Sequence, residues 1–266
     1  MRRVLLILLL FLAFPFLFKT ATKATSSQAY QDYSYQFDQY RQKLSDFQVS
    51  YTQYKQFNSL TAQQDTLDKV KLVLAQRNLV AKTYFLFLNE KLSEDPGLST
   101  ADVAGYRTLL TNQIGLLDQN TELSLNVGTL SDASKIAAAF TKNYNAMQVA
   151  YRSTILGLDL GYLTYYGSQF DAAAATAQTL IAASRGDATA EKQATMDRWM
   201  INLSNQHSLF TEKTKLIRTA MANIKGDVTE QDRQFNAIVK TMTAAKADLT
   251  TGASYLGELQ TALQYE

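Results

Sequence analysis

The chain is predicted to be all-α: an elongated antiparallel bundle of about six long helices with coiled-coil-like packing around a long central helix. Three observations carry this. Apolar residues recur at spacings of three and four over nearly the whole length beyond residue 24. Only two prolines, Pro15 and Pro96, occur in 266 residues, so little interrupts a helix. Turn-forming residues gather where the apolar stripes end, at Asp95-Pro96-Gly97, Gly128, Gly186 and Gly226.

The N-terminus is a separate element. Met1-Arg2-Arg3 is basic, Val4 to Phe18 carries no polar side chain, and Lys19 precedes the small residues Thr20 to Ser27. A basic start, an apolar run and a small-residue exit form an export signal. As a helix the run spans roughly 22 Å, short of the roughly 30 Å hydrocarbon core. Residues 1–24 are therefore expected to be a cleaved signal peptide, with Thr22-Lys23-Ala24 as the exit, or an uncleaved membrane anchor flanked by Arg2, Arg3 and Lys19. Either way, residues 25–266 are expected outside the cytoplasm as a helical bundle, with a possible subdivision near 128–131.

The first helix is expected from Ala24 to Asn58. Tyr30, Tyr33, Phe37, Tyr40, Leu44, Phe47, Tyr51 and Tyr54 follow a three-four heptad seam. So aromatic a seam is expected to pack against smaller side chains of neighbouring helices. The second helix, Ala62 to Ser93, opens on a Thr61/Gln64 capping box. Leu67, Val70, Leu74, Ala81, Tyr84 and Leu88 make one stripe, interrupted by Arg77. Leu72, Leu79 and Leu86 make another, so the helix is expected to be covered on more than one side.

The third helix is capped by Ser99 with Asp102 and runs to Val127, where Gly128 is expected as the C-terminal cap. The fourth, Asp132 to Arg185, has the series Ile136, Phe140, Tyr144, Met147, Tyr151, Ile155, Leu158, Tyr162 and Tyr166. That is an eleven-residue repeat. Between Ile155 and Tyr166 it is apolar nearly all round, as in a buried helix. It is either continuous, about 80 Å long, or broken at Gly157, Gly161 or Gly167. Gly157 and Gly161, four apart, would let a neighbour approach closely.

The fifth helix is expected from Ala188 to Lys225 and the sixth from Glu230 to Tyr265. The sixth carries the heptad series Phe235, Ile238, Met242, Ala245, Leu249, Gly252, Leu256, Leu259 and Leu263. Arg185-Gly186-Asp187 and Lys225-Gly226-Asp227 are expected to be alike: a cation closing one helix, a left-handed glycine, and an aspartate opening the next. Such short turns make antiparallel neighbours.

Composition excludes several chemistries. Whole-chain charge is +2, and without Arg2, Arg3, Lys19 and Lys23 there remain 22 basic against 24 acidic residues. There is no basic surplus for phosphates, so no nucleic-acid partner is expected. With no cysteine there can be no disulfide, thiolate site or cysteine nucleophile. His207 is the only histidine and reads as a border-of-core residue between Leu203 and Phe210. No glycine-flanked serine, phosphate loop or paired-carboxylate motif appears, so no enzyme activity, cofactor or metal is expected. Trp199 with Met196 and Met200 reads as core.

Two constellations remain. Asp159 is the only charged residue between Arg152 and Asp171; with Tyr162 and Arg152 it is a candidate ligand or buried polar site. Arg185-Gly186-Asp187 is a candidate exposed turn motif of the kind integrins read. The expected function is that of a non-enzymatic exported bundle acting as a cell-envelope scaffold, spacer or protein-interaction module. Its expected partners are the membrane, through the N-terminus, and another envelope protein or itself. The alternatives are an extracytoplasmic sensor-like ligand-binding module at Asp159, or a secreted membrane-lytic protein using Ile155 to Tyr166.

Overall fold

The computed structural model describes residues 23–186 and 188–264. The export segment falls almost wholly outside the described residues, and Asp187 also lies outside them. The chain is an all-α helical bundle. Its helices are α1 (Lys23–Phe57), α2 (Leu60–Glu94), α3 (Thr100–Leu125), α4 (Leu130–Ser184), α5 (Ala190–Met221) and α6 (Val228–Gln264). Among the described residues, no helix is long and apolar enough to cross a membrane. Two compact units form: one from residues up to Glu94 with Thr111–Phe140, the other from Asp95–Leu110 with Thr141 onward.

In the first unit α1 and α2 make an antiparallel hairpin. Asn58, with φ 46°, takes the left-handed conformation and reverses the chain. Ser59 then caps α2, its hydroxyl accepting from the Ala62 N–H at 3.2 Å. The Thr61/Gln64 capping box is thus corrected: Ser59 stands directly after the reversal and satisfies the first free amides. The α1 seam also differs from expectation. Tyr33 packs on Tyr84 at 5.2 Å and Tyr30 on Phe87 at 5.6 Å between ring centres, so rings meet rings. Tyr30, Phe37 and Tyr51 stay exposed.

Polar contacts fix the hairpin register. The Ser26 hydroxyl donates to Glu94 at 2.8 Å, Gln76 Nε2 donates to Gln36 Oε1 at 2.7 Å, and the Ser50 hydroxyl donates to Asp65 at 2.5 Å. Leu67, Leu74, Val127 and Ala133 form the unit's apolar cluster. Leu72 and Leu86 are exposed, which corrects the expected second covered face of α2. Two polar residues lie among these apolar ones, Arg77 interrupting the stripe as expected and Asn78 beside it. Arg77 lies with its guanidinium carbon 3.7 Å from the centre of the Phe140 ring, and burial lowers its pKa to about 10. Asn78 is 1% exposed, and among the described residues its amide has no hydrogen-bond partner.

In the second unit α4, α5 and α6 run up, down and up. The α4–α5 pairing brings Phe170 onto His207 and Asp171 to 2.9 Å from His207 Nε2. The α5–α6 pairing brings Lys213 to Asp248 at 2.5 Å and Trp199 to Tyr255. α4 and α6 are therefore parallel. Their register is fixed by Arg152 bonded to Asp232, an offset of 80 residues, and is nearly unchanged where Phe170 fills the space over Gly252.

Leu156, Leu160, Leu163, Phe210, Ile217, Ile238, Met242 and Ala245 form the core. Each fully buried aliphatic side chain there contributes about 1.5–3 kcal/mol. Farther along, Ile181, Met196 and Leu259 form a second cluster, with Trp199 and Met200 against it as expected. The heptad series on α6 is reproduced, with Ile238, Met242, Ala245 and Leu259 buried.

α4 is one continuous helix of 55 residues, and its three glycines do not break it. The predicted line holds at Ile136 and Met147 but not along the rest of the helix. Leu156, Leu160, Leu163 and Phe170 face inward, whereas Tyr144, Tyr162 and Tyr166 are exposed. The stretch from Ile155 to Tyr166 is thus not buried all round. Its tyrosines remain at the surface, where their hydroxyls reach water.

Close approach at the glycines is as expected. The Asp95-Pro96-Gly97 turn sits on Gly161, and the Tyr106 ring sits on Gly157. Ser99 and Asp102 cap α3 reciprocally, at 2.6 and 3.1 Å.

The two later turns are not alike. Gly226 has φ 101°, and Asp227 caps α6 by accepting from the Glu230 N–H at 2.9 Å. Gly186 is not left-handed, and Thr189 caps α5. Nor is Gly128 left-handed; α3 ends at Leu125, and Thr129 caps α4 with Asp132.

Candidate functional site

The parallel pair α4 and α6 leaves an open groove on its surface, about 820 Å³ in volume. The α4 wall runs from Asp159 to Ala173 and the α6 wall from Val239 to Leu256. Fifteen residues of helix make it roughly 21 Å long. Its floor is apolar: Leu163, Phe170, Met242 and Leu249. Phe170 and Met242 are held in place because their other faces are buried in the packing of α4, α5 and α6.

The rim is exposed and mixed. Asp159, Tyr162, Tyr166 and Gln169 stand along α4; Thr243, Lys246, Thr250 and Ala253 stand along α6. With the offset of 80, Lys246 is level with Tyr166, seven residues beyond Asp159. The carboxylate end and the ammonium are thus roughly 10 Å apart along the groove. The Lys246 ammonium forms no ion pair or hydrogen bond recorded among the described residues.

At the Asp159 end burial raises the carboxyl pKa, and the Asp95 carboxylate raises it further. Asp95 is raised too, by burial, although its Oδ1 accepts the Gly97 N–H at 2.8 Å and the Leu98 N–H at 3.1 Å. A carboxyl raised in the folded state binds its proton more tightly there than in the unfolded chain. Its charge costs stability above the folded pKa, and that cost is relieved as pH falls toward the unfolded value. Asp159→Asn should therefore melt on the order of 1 °C higher than the parent at pH 7. The difference should shrink as pH falls and vanish only below about pH 4, under the unfolded value. Paired melting curves across that range check this; an equal or lower Tm for the variant at pH 7 would contradict it.

Of the sequence candidates, Asp159 and Tyr162 line the groove together. Arg152 does not join them. It is buried, bonded to Asp232 and 3.5 Å from the Val228 carbonyl oxygen, because α6 supplies a partner that its own helix lacks. At the turn motif, Arg185 pairs with Asp197 and its carbonyl oxygen accepts from Gln193 Nε2 at 2.8 Å. Arg185 and Gly186 are both exposed, and Asp187 lies outside the described residues. His207 lies at the core border on Phe170, as expected.

Lys246 and the apolar floor on α6 were missed by sequence reasoning. The signal lay in the α6 heptads themselves, since Met242 and Leu249 are core positions of a helix whose flank carries Lys246. The class that fold and site define is an all-α bundle with an open groove between parallel helices. Comparison with family models, with curated proteins and with solved structures gave no match to this chain.

Proposed function

We propose that this chain is a non-enzymatic, extracytoplasmic interaction module of the cell envelope that docks a helix of another protein in the α4–α6 groove. The observation that carries this is the groove itself: open along its length, apolar at its floor and polar at its rim. Helix-in-groove recognition needs those features. A small-molecule site encloses most of its ligand, and a groove open to solvent suits a sensor ligand less well. Delivery across a membrane, with or without cleavage after Ala24, rests on Arg2, Arg3 and the apolar run Val4 to Phe18.

Site-specific photo-crosslinking in the native cells tests the proposal. A crosslinker at Thr243 on the groove rim should give one discrete heteromeric adduct. Leu249→Glu should abolish it, because charge on the groove floor is costly to bury. A chain that gives only self-adducts or none would contradict the proposal.

A further inference from the structure

We infer that the groove's occupant is a partner helix running antiparallel to α4 and α6, with an acidic residue two turns before a basic one. This rests on the helix-docking reading above. In an up-down-up-down four-helix bundle, neighbours are antiparallel and diagonal helices are parallel. α4 and α6 are parallel and touch directly, with Phe170 over Gly252 and Arg152 bonded to Asp232, and α5 packs antiparallel to both. The start of α3 already packs on α4 at Gly157, and the groove is a separate face lined by α4 and α6, on which a further helix antiparallel to both would continue the alternation. An antiparallel direction also opposes the dipoles of α4 and α6 favourably.

The rim charges then fix the sequence of that helix. Lys246 lies nearer the C-terminal end of α4, level with Tyr166, and Asp159 lies nearer the start of the groove. An antiparallel partner meets Lys246 first and Asp159 seven residues later. Electrostatic complementarity calls for Glu or Asp at the first position and Lys or Arg at the second. Between them an apolar stripe at spacings of three and four would cover Leu163, Phe170, Met242 and Leu249.

Synthetic 21-residue helical peptides with a leucine stripe test this against the full chain by fluorescence anisotropy. The four peptides carry Glu-then-Lys, Lys-then-Lys, Glu-then-Glu or Gln-then-Gln at positions seven apart. Glu-then-Lys should bind tightest, and each like-charged peptide should bind roughly three- to tenfold more weakly. Asp159→Lys should switch the preference to Glu-then-Glu, which a merely sticky surface would not do.

Direction is read separately. The chain has no cysteine, so Ser254→Cys carries a single fluorophore at the far end of the groove. A quencher on the peptide N-terminus should quench it and one on the C-terminus should not. Equal affinities for all four peptides would overturn the charge assignment and leave helix docking standing. Absence of peptide binding alongside a heteromeric crosslink from Thr243 would overturn the helical occupant. Saturable uptake of a fatty acid, or dimerisation lost with Leu249→Glu, would assign the groove to a lipid or to a second copy instead.

Discussion

Gly97→Ala should destabilise the second unit by about 2–4 kcal/mol. The Gly97 Cα lies against the backbone of α4, where an added Cβ would overlap the Gly161 carbonyl group and crowd the Tyr165 amide. Neither obstacle is a side chain that can swing away, because both belong to a continuous helix. Relief requires the turn to lift off α4. The Gly97 and Leu98 amides would then lose their hold on the Asp95 carboxylate. Gly115→Ala is the control. Nothing lies within 4 Å of a Cβ there, and an alanine inside α3 should stabilise by up to about 1 kcal/mol. Thermal and urea unfolding of the two variants check the contrast. A Gly97→Ala protein as stable as the parent would mean that the turn does not seat on Gly161.

Asn78→Leu should stabilise the chain by about 1–2 kcal/mol. A fully buried amide without a partner costs about 1–3 kcal/mol in lost hydration, and leucine has the same branched shape, so the gain is reduced only by fitting its larger methyl groups. Asn78 follows Leu74 by four residues and precedes Phe85 by seven, so it occupies a core position of α2. A buried asparagine in a helical seam trades stability for a defined register. The midpoint in urea should rise with an unchanged dependence on denaturant, since the exposed area on unfolding stays the same. A fall in stability would show that the amide is bonded in solution.

α6 and α4 show what was legible in the sequence and what was not. α6 has apolar residues on one side only, so its heptad names its core: Ile238, Met242, Ala245, Leu259. α4 has apolar residues on every side, and a period then fits several stripes equally well. The one through Tyr144, Tyr162 and Tyr166 is regular, but Leu156, Leu160 and Leu163 are the residues buried. Only the positions of α5 and α6 choose between them.

The same limit applies to the site. Asp159 and Tyr162 stand out because a charge and a ring interrupt an aliphatic run. Lys246 is an ordinary lysine on an amphipathic helix until α4 lies beside it. Arg152 could not be assigned a partner because Asp232 is 80 residues away. The cap at Ser99 and Asp102 was legible because the breaker Asp95-Pro96-Gly97 fixes where that helix can start; the caps at Ser59 and Thr129 were not, because the reversal at Asn58 and the early end of α3 at Leu125 set those starts.

Crosslinking from paired positions on α6 tests the central claim most directly. A photo-reactive residue replacing Thr243 faces the groove, whereas one replacing Lys240 is exposed but not among the groove's lining residues. Both proteins would be irradiated in the native cells and their adducts mapped by mass spectrometry. A single partner peptide of helical, amphipathic sequence attached to Thr243 and absent from Lys240 is the expected result. Equal labelling from both positions, or no adduct from Thr243, would contradict the groove as a docking site.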